Sequence, residues 1–384
     1  MISLKQIEIL DSTLREGEQT PGVSFSLDQK VAIAKKLDSF GVDFIELGHP
    51  AVSPDVYEAV EALNSLNLNA SKVAHGCAKI SDIDDAVAIG VPWMGIFFGT
   101  SSLSLKHKFT VTKKEALQRI ETAVKYGKDS GLKLRFTAED ASRTDIDFLI
   151  QVGQLVQNSG ADRFSLADTV GCLTPTKMKE LVIRIVSELD IPLHVHCHND
   201  FGMATANALS ALEAGARCID VSVNGLGERV GLPPLAEITT ALTKIYGVNR
   251  NWVLGMIPEL TEMVGVYSQL DSNANKPIVG KNAFTHKAGL HVKAVVKEPQ
   301  SYEAISPETV HRKRHLEIDK FTGKTALKNR LDKMNISLSD QGLSMVLERI
   351  KSKPNKVSWT DESLLSLINS MKSVISTPIL KEKP

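Results

Sequence analysis

Three apolar runs, Leu132-Lys133-Leu134-Arg135-Phe136-Thr137, Arg163-Phe164-Ser165-Leu166-Ala167 and Leu193-His194-Val195-His196-Cys197-His198, begin about 30 residues apart. Their shortness and apolar content predict strands. Similar runs stand on either side of them, at 7–14, 44–48, 72–75, 94–98 and 218–223. The intervening segments carry apolar residues at helical spacing, as in Val31, Ile33, Ala34 and Leu37, or Leu117, Ile120, Ala123 and Val124. Gly41, Gly90, Gly131, Gly160 and Gly215 each stand where such a helix should stop, as left-handed C-terminal glycines do. Eight strand–helix units therefore end near Gly247. That number, and a length of about 250 residues, match a (β/α)8 TIM barrel better than an open doubly wound sheet, which usually closes with fewer strands.

The barrel is expected over 1–255. Beyond it the rhythm becomes polar and proline-interrupted, which predicts a linker and first C-terminal subdomain over 256–322. Within it, 277–280 and 286–291 carry several polar residues suited to reaching an active site. A small, mostly helical subdomain should fill 323–384, with helices at 324–334, 339–351 and 361–371.

Composition narrows the class of function. Forty-five basic residues balance forty-five acidic ones, so no net field attracts nucleic acid or an anionic membrane surface. At 42% apolar and 23% charged, the chain is far from the composition of disorder. Cys77, Cys172, Cys197 and Cys218 lack CxxC spacing, and no basic-then-apolar leader precedes Ile7, so a reducing, cytoplasmic location is expected. No apolar run is long enough to span a bilayer.

In a barrel of this kind, chemistry sits where the strands run into the loops that follow them. Strand one ends in Asp11-Ser12-Thr13-Leu14-Arg15-Glu16-Gly17-Glu18-Gln19, strand five in Arg135-Phe136-Thr137-Ala138-Glu139-Asp140, and strand six in Asp168-Thr169. Strand seven continues to His198-Asn199-Asp200. Residues two apart face the same side of a strand, so His196 and His198 can share one ion, with His194 one step deeper. Glu16 or Asp11 would complete a two-histidine, one-carboxylate set that leaves positions open to a chelating 2-oxo acid. The plain alternative is a hydrogen-bonded histidine pair. Gly225-Leu226-Gly227-Glu228-Arg229 lacks the Lys-Ser/Thr ending of a phosphate loop, and a tight turn presenting Glu228 and Arg229 is the simpler expectation.

Four motifs point further. The run at 11–19, His196-Cys197-His198-Asn199-Asp200, Asn224-Gly225-Leu226-Gly227-Glu228-Arg229 and His286-Lys287-Ala288-Gly289-Leu290-His291 together resemble the acyl-CoA-condensing, metal-dependent barrel enzymes, which include homocitrate and isopropylmalate synthases. The likeness covers nearly the whole chain in order. Arg15-Glu16 rather than Arg-Asp, Gly48-His49-Pro50-Ala51-Val52-Ser53-Pro54 and Arg135-Phe136-Thr137-Ala138-Glu139-Asp140 look more like the homocitrate synthase branch, particularly its archaeal-type members. The 384 residues also leave no room for the extra regulatory domain usual in isopropylmalate synthases, so none is expected.

The resemblance implies condensation of acetyl-CoA with 2-oxoglutarate, then thioester hydrolysis to homocitrate and CoA. It implies that Glu16, His196 and His198 hold a divalent cation, Mg, Mn or Zn, and that Arg15 stabilises the alkoxide formed on the keto carbonyl. Gln19, Arg135, Thr137 and Thr169 become contacts to the keto acid; otherwise Arg135 would pair with Glu16 or Glu139 inside the barrel. His291 is implied as the base for the acetyl methyl proton, with Glu139 and Tyr302 as partners in proton transfer, reaching in from a second subunit of a homodimer. The alternative for His291 is a tether for its linker, and His286 is expected to be structural. One position departs from the pattern: some homocitrate synthases carry aspartate on strand four where this chain has Gly95. His75 is left for the far carboxylate, and isopropylmalate-, citramalate- or citrate-type acceptors stand as alternatives. A CoA-independent aldolase or lyase would keep the same metal set, and a non-catalytic binding protein should have lost part of it.

Overall fold

The computed structural model describes residues 6–270, 273–353, 358–371 and 379–380. Two compact units divide it, Met1–Asp271 and Ser272–Pro384.

The first unit is a closed barrel of eight parallel strands in sequence order. They are β1 (Glu8–Asp11), β2 (Phe44–Gly48), β3 (Ser71–Cys77), β4 (Trp93–Gly99), β5 (Lys133–Glu139), β6 (Arg163–Asp168), β7 (Leu193–Cys197) and β8 (Cys218–Val221). The ring closes where β1 pairs with both β2 and β8. Between and after the strands run α1 (Leu27–Phe40), α2 (Pro54–Asn64), α3 (Ile80–Ile89), α4 (Lys113–Asp129), α5 (Ile146–Asn158), α6 (Pro175–Val186), α7 (Ala204–Ala214) and α8 (Leu235–Lys244), with α9 (Ile257–Ser268) beyond. Thus the eight-unit barrel expected from the apolar runs is the fold observed.

Local chemistry starts and stops these helices. Ser26 opens α1 and Thr112 opens α4 with reciprocal capping boxes, in which Gln29 and Glu115 return the hydrogen bond. Gly41, Gly90 and Gly215 end their helices in the left-handed region, where a side chain would be strained. Strand one is shorter than its apolar run, because the Arg15 and Gly17 amides turn back to the Ser12 carbonyl. At the strand starts, Leu10, Phe44, Val73 and Cys218 pack with Trp93. The Arg163 guanidinium covers the Phe44 and Trp93 rings at 4.6 and 5.1 Å. Arg163 also pairs with Glu8 at this end, at 2.9 Å.

The second unit holds α10 (Gly289–Lys297), α11 (Lys324–Lys333), α12 (Asp340–Lys351) and α13 (Asp361–Ser370). The last three lie where helical spacing put them. Their core includes Val292, Leu327, Leu331, Val346, Ile350, Leu364 and Ile368. Two strand pairs of two residues each add to it: β9 (Thr285–His286) with β10 (His315–Leu316), and β11 (Ile336–Ser337) with β12 (Ile379–Leu380). Among the described residues no helix is long and apolar enough to cross a membrane.

Candidate active site at the barrel mouth

Arg15, Glu16, Gln19, His75, Arg135, Thr137, Glu139, Thr169, His196 and His198 line one cavity of about 210 Å³ at the strand ends. The barrel residues expected to bind metal or substrate through the family resemblance are therefore brought together there, while Asp11 and His194 lie outside its lining.

The trio comes from β1's loop and the end of β7. The ligand atoms of Glu16, His196 and His198 lie within 4.8 Å of one another, and all three side chains are buried. The two imidazole Nε2 atoms are 3.1 Å apart, and His198 Nε2 is 3.9 Å from Glu16 Oε1. His196 donates Nδ1–H to Asp220 Oδ2 at 2.7 Å, which turns its Nε2 lone pair toward the other two ligands. Burial, then the neighbouring His196, holds His198 down to about 3, so this imidazole is neutral at pH 7. Burial alone would raise the Glu16 carboxyl, but Arg15, His196 and His198 keep it below its usual range. Two imidazoles and a carboxylate converging in this way fit one divalent cation. Asp11, the other acid on strand one, instead accepts from the Thr13 amide at 2.8 Å.

Two buried acids that sequence reasoning missed hold the rest in place. Glu46 on β2 receives Ser12 Oγ at 2.5 Å, Arg15 Nε at 2.7 Å and Arg135 Nη2 at 2.7 Å. Burial would raise its carboxyl, but Arg15 and Arg135 hold it well below the usual range. Asp220 on β8 receives His194 at 2.6 Å as well as His196. Arg135 thus leans on Glu46 and, at 3.5 Å, on Asp220, which replaces the pairing with Glu16 or Glu139 considered from sequence. The only signal for either acid was a charge within an otherwise apolar strand, Phe44-Ile45-Glu46-Leu47 and Cys218-Ile219-Asp220-Val221.

Several polar groups line the cavity. Arg135 Nε and Nη1 and Thr137 Oγ1 are buried without a hydrogen-bond partner in the protein. Thr169 Oγ1 accepts from the Asp140 amide at 2.8 Å. His75 stacks on Phe97 at 5.1 Å, with Nδ1 3.2 Å from Glu46 Oε1 but poorly aligned for a hydrogen bond. Burial, then Arg15, lowers His75 to about 4. Arg15 also pairs with Glu16. Both Glu139 oxygens accept from Lys108 Nζ at 2.8 Å. Lys108 lies on a π-helix, Ser104–Phe109, a conformation that sequence spacing does not announce.

The glycine-containing loop after β8 is a tight turn, and it has a task. Its Glu228 amide donates to Glu16 Oε1 at 3.1 Å, while Arg229 grips both Asp200 oxygens. In the second unit, exposed His291 stacks on Tyr302 with ring centres 4.1 Å apart. His286 pairs with Glu303, which Arg314 also clamps with two hydrogen bonds of 2.5 Å, a structural arrangement as expected.

The barrel and its mouth define a class, and residues 6–264 match the HMGL-like family. The barrel of the Bacillus subtilis HMG-CoA lyase superposes with a TM-score of 0.64 over 70% of this chain and 96% of that one, at 19% identity. An Acinetobacter baumannii HMG-CoA lyase gives 0.63 over 71% and 94%, also at 19% identity. These likenesses concern the fold. Residues 278–357 match a second family, the homocitrate synthase post-HMGL domain. Homocitrate synthase of Sulfurisphaera tokodaii is 46% identical over 384 residues, 99% of this chain and 82% of that protein. The Sulfolobus acidocaldarius enzyme of the same name is 45% identical, over 99% and 81%. The chain belongs to the homocitrate synthase family.

Proposed function

We propose that this chain condenses acetyl-CoA with 2-oxoglutarate and hydrolyses the resulting thioester to homocitrate and CoA. The observation that carries this at the site is the convergence, in one cavity, of Glu16, His196 and His198 with the undonated N–H groups of buried Arg135. One set suits the chelating end of a 2-oxo acid, the other a carboxylate.

When bound by Glu16, His196 and His198, a divalent cation, Mg, Mn or Zn, supplies Lewis-acid polarisation of the keto carbonyl. Arg15, held by Glu46 and Glu16, stabilises negative charge as the carbonyl oxygen becomes an alkoxide. Arg135 offers its planar fork to a substrate carboxylate, and Thr137, Thr169 and Gln19 contact the remaining polar groups. His75, a neutral imidazole, donates to the far carboxylate. His291 takes a methyl proton from acetyl-CoA, with Tyr302 and Glu139 as relays, and the resulting carbon nucleophile adds to the keto carbon. Water then cleaves the C–S bond. The base arrives from a second copy of the chain, so the working form is a homodimer, for which light scattering should give about twice 41.8 kDa. Four free cysteines support a cytoplasmic location.

Chelator-stripped protein should lose CoA release and regain it on adding metal, whereas Glu16→Gln should not be rescued at the same metal concentration. Normal turnover of fully stripped protein would exclude the metal-assisted route. For the base, His291→Ala should slow deuterium exchange at the acetyl methyl with a non-reactive keto-acid analogue bound; wild-type exchange would move His291 to a later step.

A further inference from the structure

Apart from the trio, one other group of cation-ligating side chains converges among the described residues. His49, Cys77 and Asp82 place an imidazole nitrogen, a sulfur and a carboxylate oxygen within 4.8 Å of one another. They come from three successive parts of the barrel rim: the turn after β2, the last residue of β3 and the first turn of α3. Cys77 and His75 are two apart in β3 and share a face, while His49 stands edge-on to His75 with ring centres 5.8 Å apart.

The cluster is built rather than incidental. Asp82 Oδ2 accepts from the Cys77 amide at 2.9 Å and from His49 Nε2 at 3.1 Å, so the carboxylate is fixed and the imidazole is aimed at it. Gly76 permits this approach: a Cβ there would lie 3.1 Å from Asp82 Cβ and 2.6 Å from Met94 Cε. Asp82 is buried, whereas His49 and Cys77 are half-exposed, which gives an ion an entry path.

Mixed imidazole, thiolate and carboxylate donors suit zinc, at bond lengths of ~2.0–2.3 Å. Two ligand atoms on one tetrahedral ion then lie about 3.3–3.7 Å apart. The His49–Asp82 separation is already close to that, and Cys77 Sγ needs a side-chain adjustment of about an ångström at most. We propose that His49, Cys77 and Asp82 form a second divalent-cation site, of the zinc class, on the rim between β2 and β3. Binding releases the Cys77 thiol proton and shifts the His49 proton from Nε2 to Nδ1, leaving the fourth position to water. Because His49 also lines the catalytic cavity, the ion ties the turn after β2 to the end of β3 beside the substrate.

The test is Co²⁺ titration of the metal-stripped full chain, followed by the near-ultraviolet thiolate-to-cobalt absorption and by ion stoichiometry from equilibrium dialysis. Wild type should bind two ions and show the band. Cys77→Ser should bind one ion without it, and Glu16→Gln one ion with it. A reading that needs no variant accompanies these: Zn²⁺ should protect Cys77, but not exposed Cys172, from alkylation mapped by peptide mass. No band at saturating Co²⁺, a band that survives Cys77→Ser, or unprotected Cys77 would each overturn the second site. If instead Glu16→Gln still bound two ions while Cys77→Ser lost one with the band, the second site would stand and the Glu16 site would fall.

Discussion

Gly95 stands beside Arg135 in the β4–β5 register, and a Cβ built on it would lie 2.5 Å from Arg135 Nη2. The missing side chain is therefore what gives the guanidinium room to reach Glu46. Gly95→Ala should push Arg135 off this seat with little effect on the fold, because the obstructed atoms end a flexible chain. Losing one charge-assisted contact costs about 1.5–3 kcal/mol, so kcat/KM for 2-oxoglutarate should fall on the order of tenfold or more in steady-state assays. His75 gives a pH prediction. Its proton is taken up near the ordinary histidine value of 6.5 in the unfolded chain but only at about 4 in the fold. The stability it contributes is complete above about pH 6.5 and is lost as pH falls toward 4. Between pH 7 and about 4.5, urea unfolding of wild type should lose roughly 2–3 kcal/mol more than that of His75→Gln. Parity within a strand made His196 and His198 legible, while Glu16 was separated from Asp11 only by the family resemblance. Glu46 and Asp220 were not, since their partners come from strands distant in sequence and a lone acid in an apolar run does not say what it meets.

Among the elements, the loop after β8 holds Glu16 of the trio through the Glu228 amide. Thr20 Oγ1 donates to the Gly227 carbonyl and accepts from its amide, which ties this loop to the one after β1. Gly231 closes the turn at φ +79°, and a Cβ there would meet the Gly225 carbonyl oxygen at 1.8 Å. Backbone cannot swing aside as a side chain can. Gly231→Ala should therefore lower stability by more than ~1 kcal/mol, a few degrees in Tm. It should also weaken metal affinity, as the Glu228 amide leaves Glu16; thermal unfolding and metal titration would check the two effects separately. The strands and C-terminal glycines were readable because apolar runs and left-handed stops are local. The π-helix carrying Lys108, whose Phe109 stacks on Phe98 at 4.0 Å, was not, since spacing does not announce that conformation.

At the scale of the whole molecule, the alternation of strand and helix specified a barrel because eight such units bury their apolar faces best as a closed ring. Three helices of the second unit were equally legible, α12 and α13 with polar starts at Ser339 and Thr360, whereas α10, which begins after Ala288 without a side-chain cap, was not. The role proposed for His291 rests on the family resemblance, because periodicity and spacing do not encode assembly. The central claim is the choice of acceptor, and competition among 2-oxo acids tests it most directly. Purified protein given acetyl-CoA and, in turn, 2-oxoglutarate, oxaloacetate, pyruvate and 2-oxoisovalerate, with CoA release followed by a thiol reagent and products identified by mass, should show its highest kcat/KM with 2-oxoglutarate and yield homocitrate. A higher kcat/KM with any of the other three, or CoA release without homocitrate, would contradict the account.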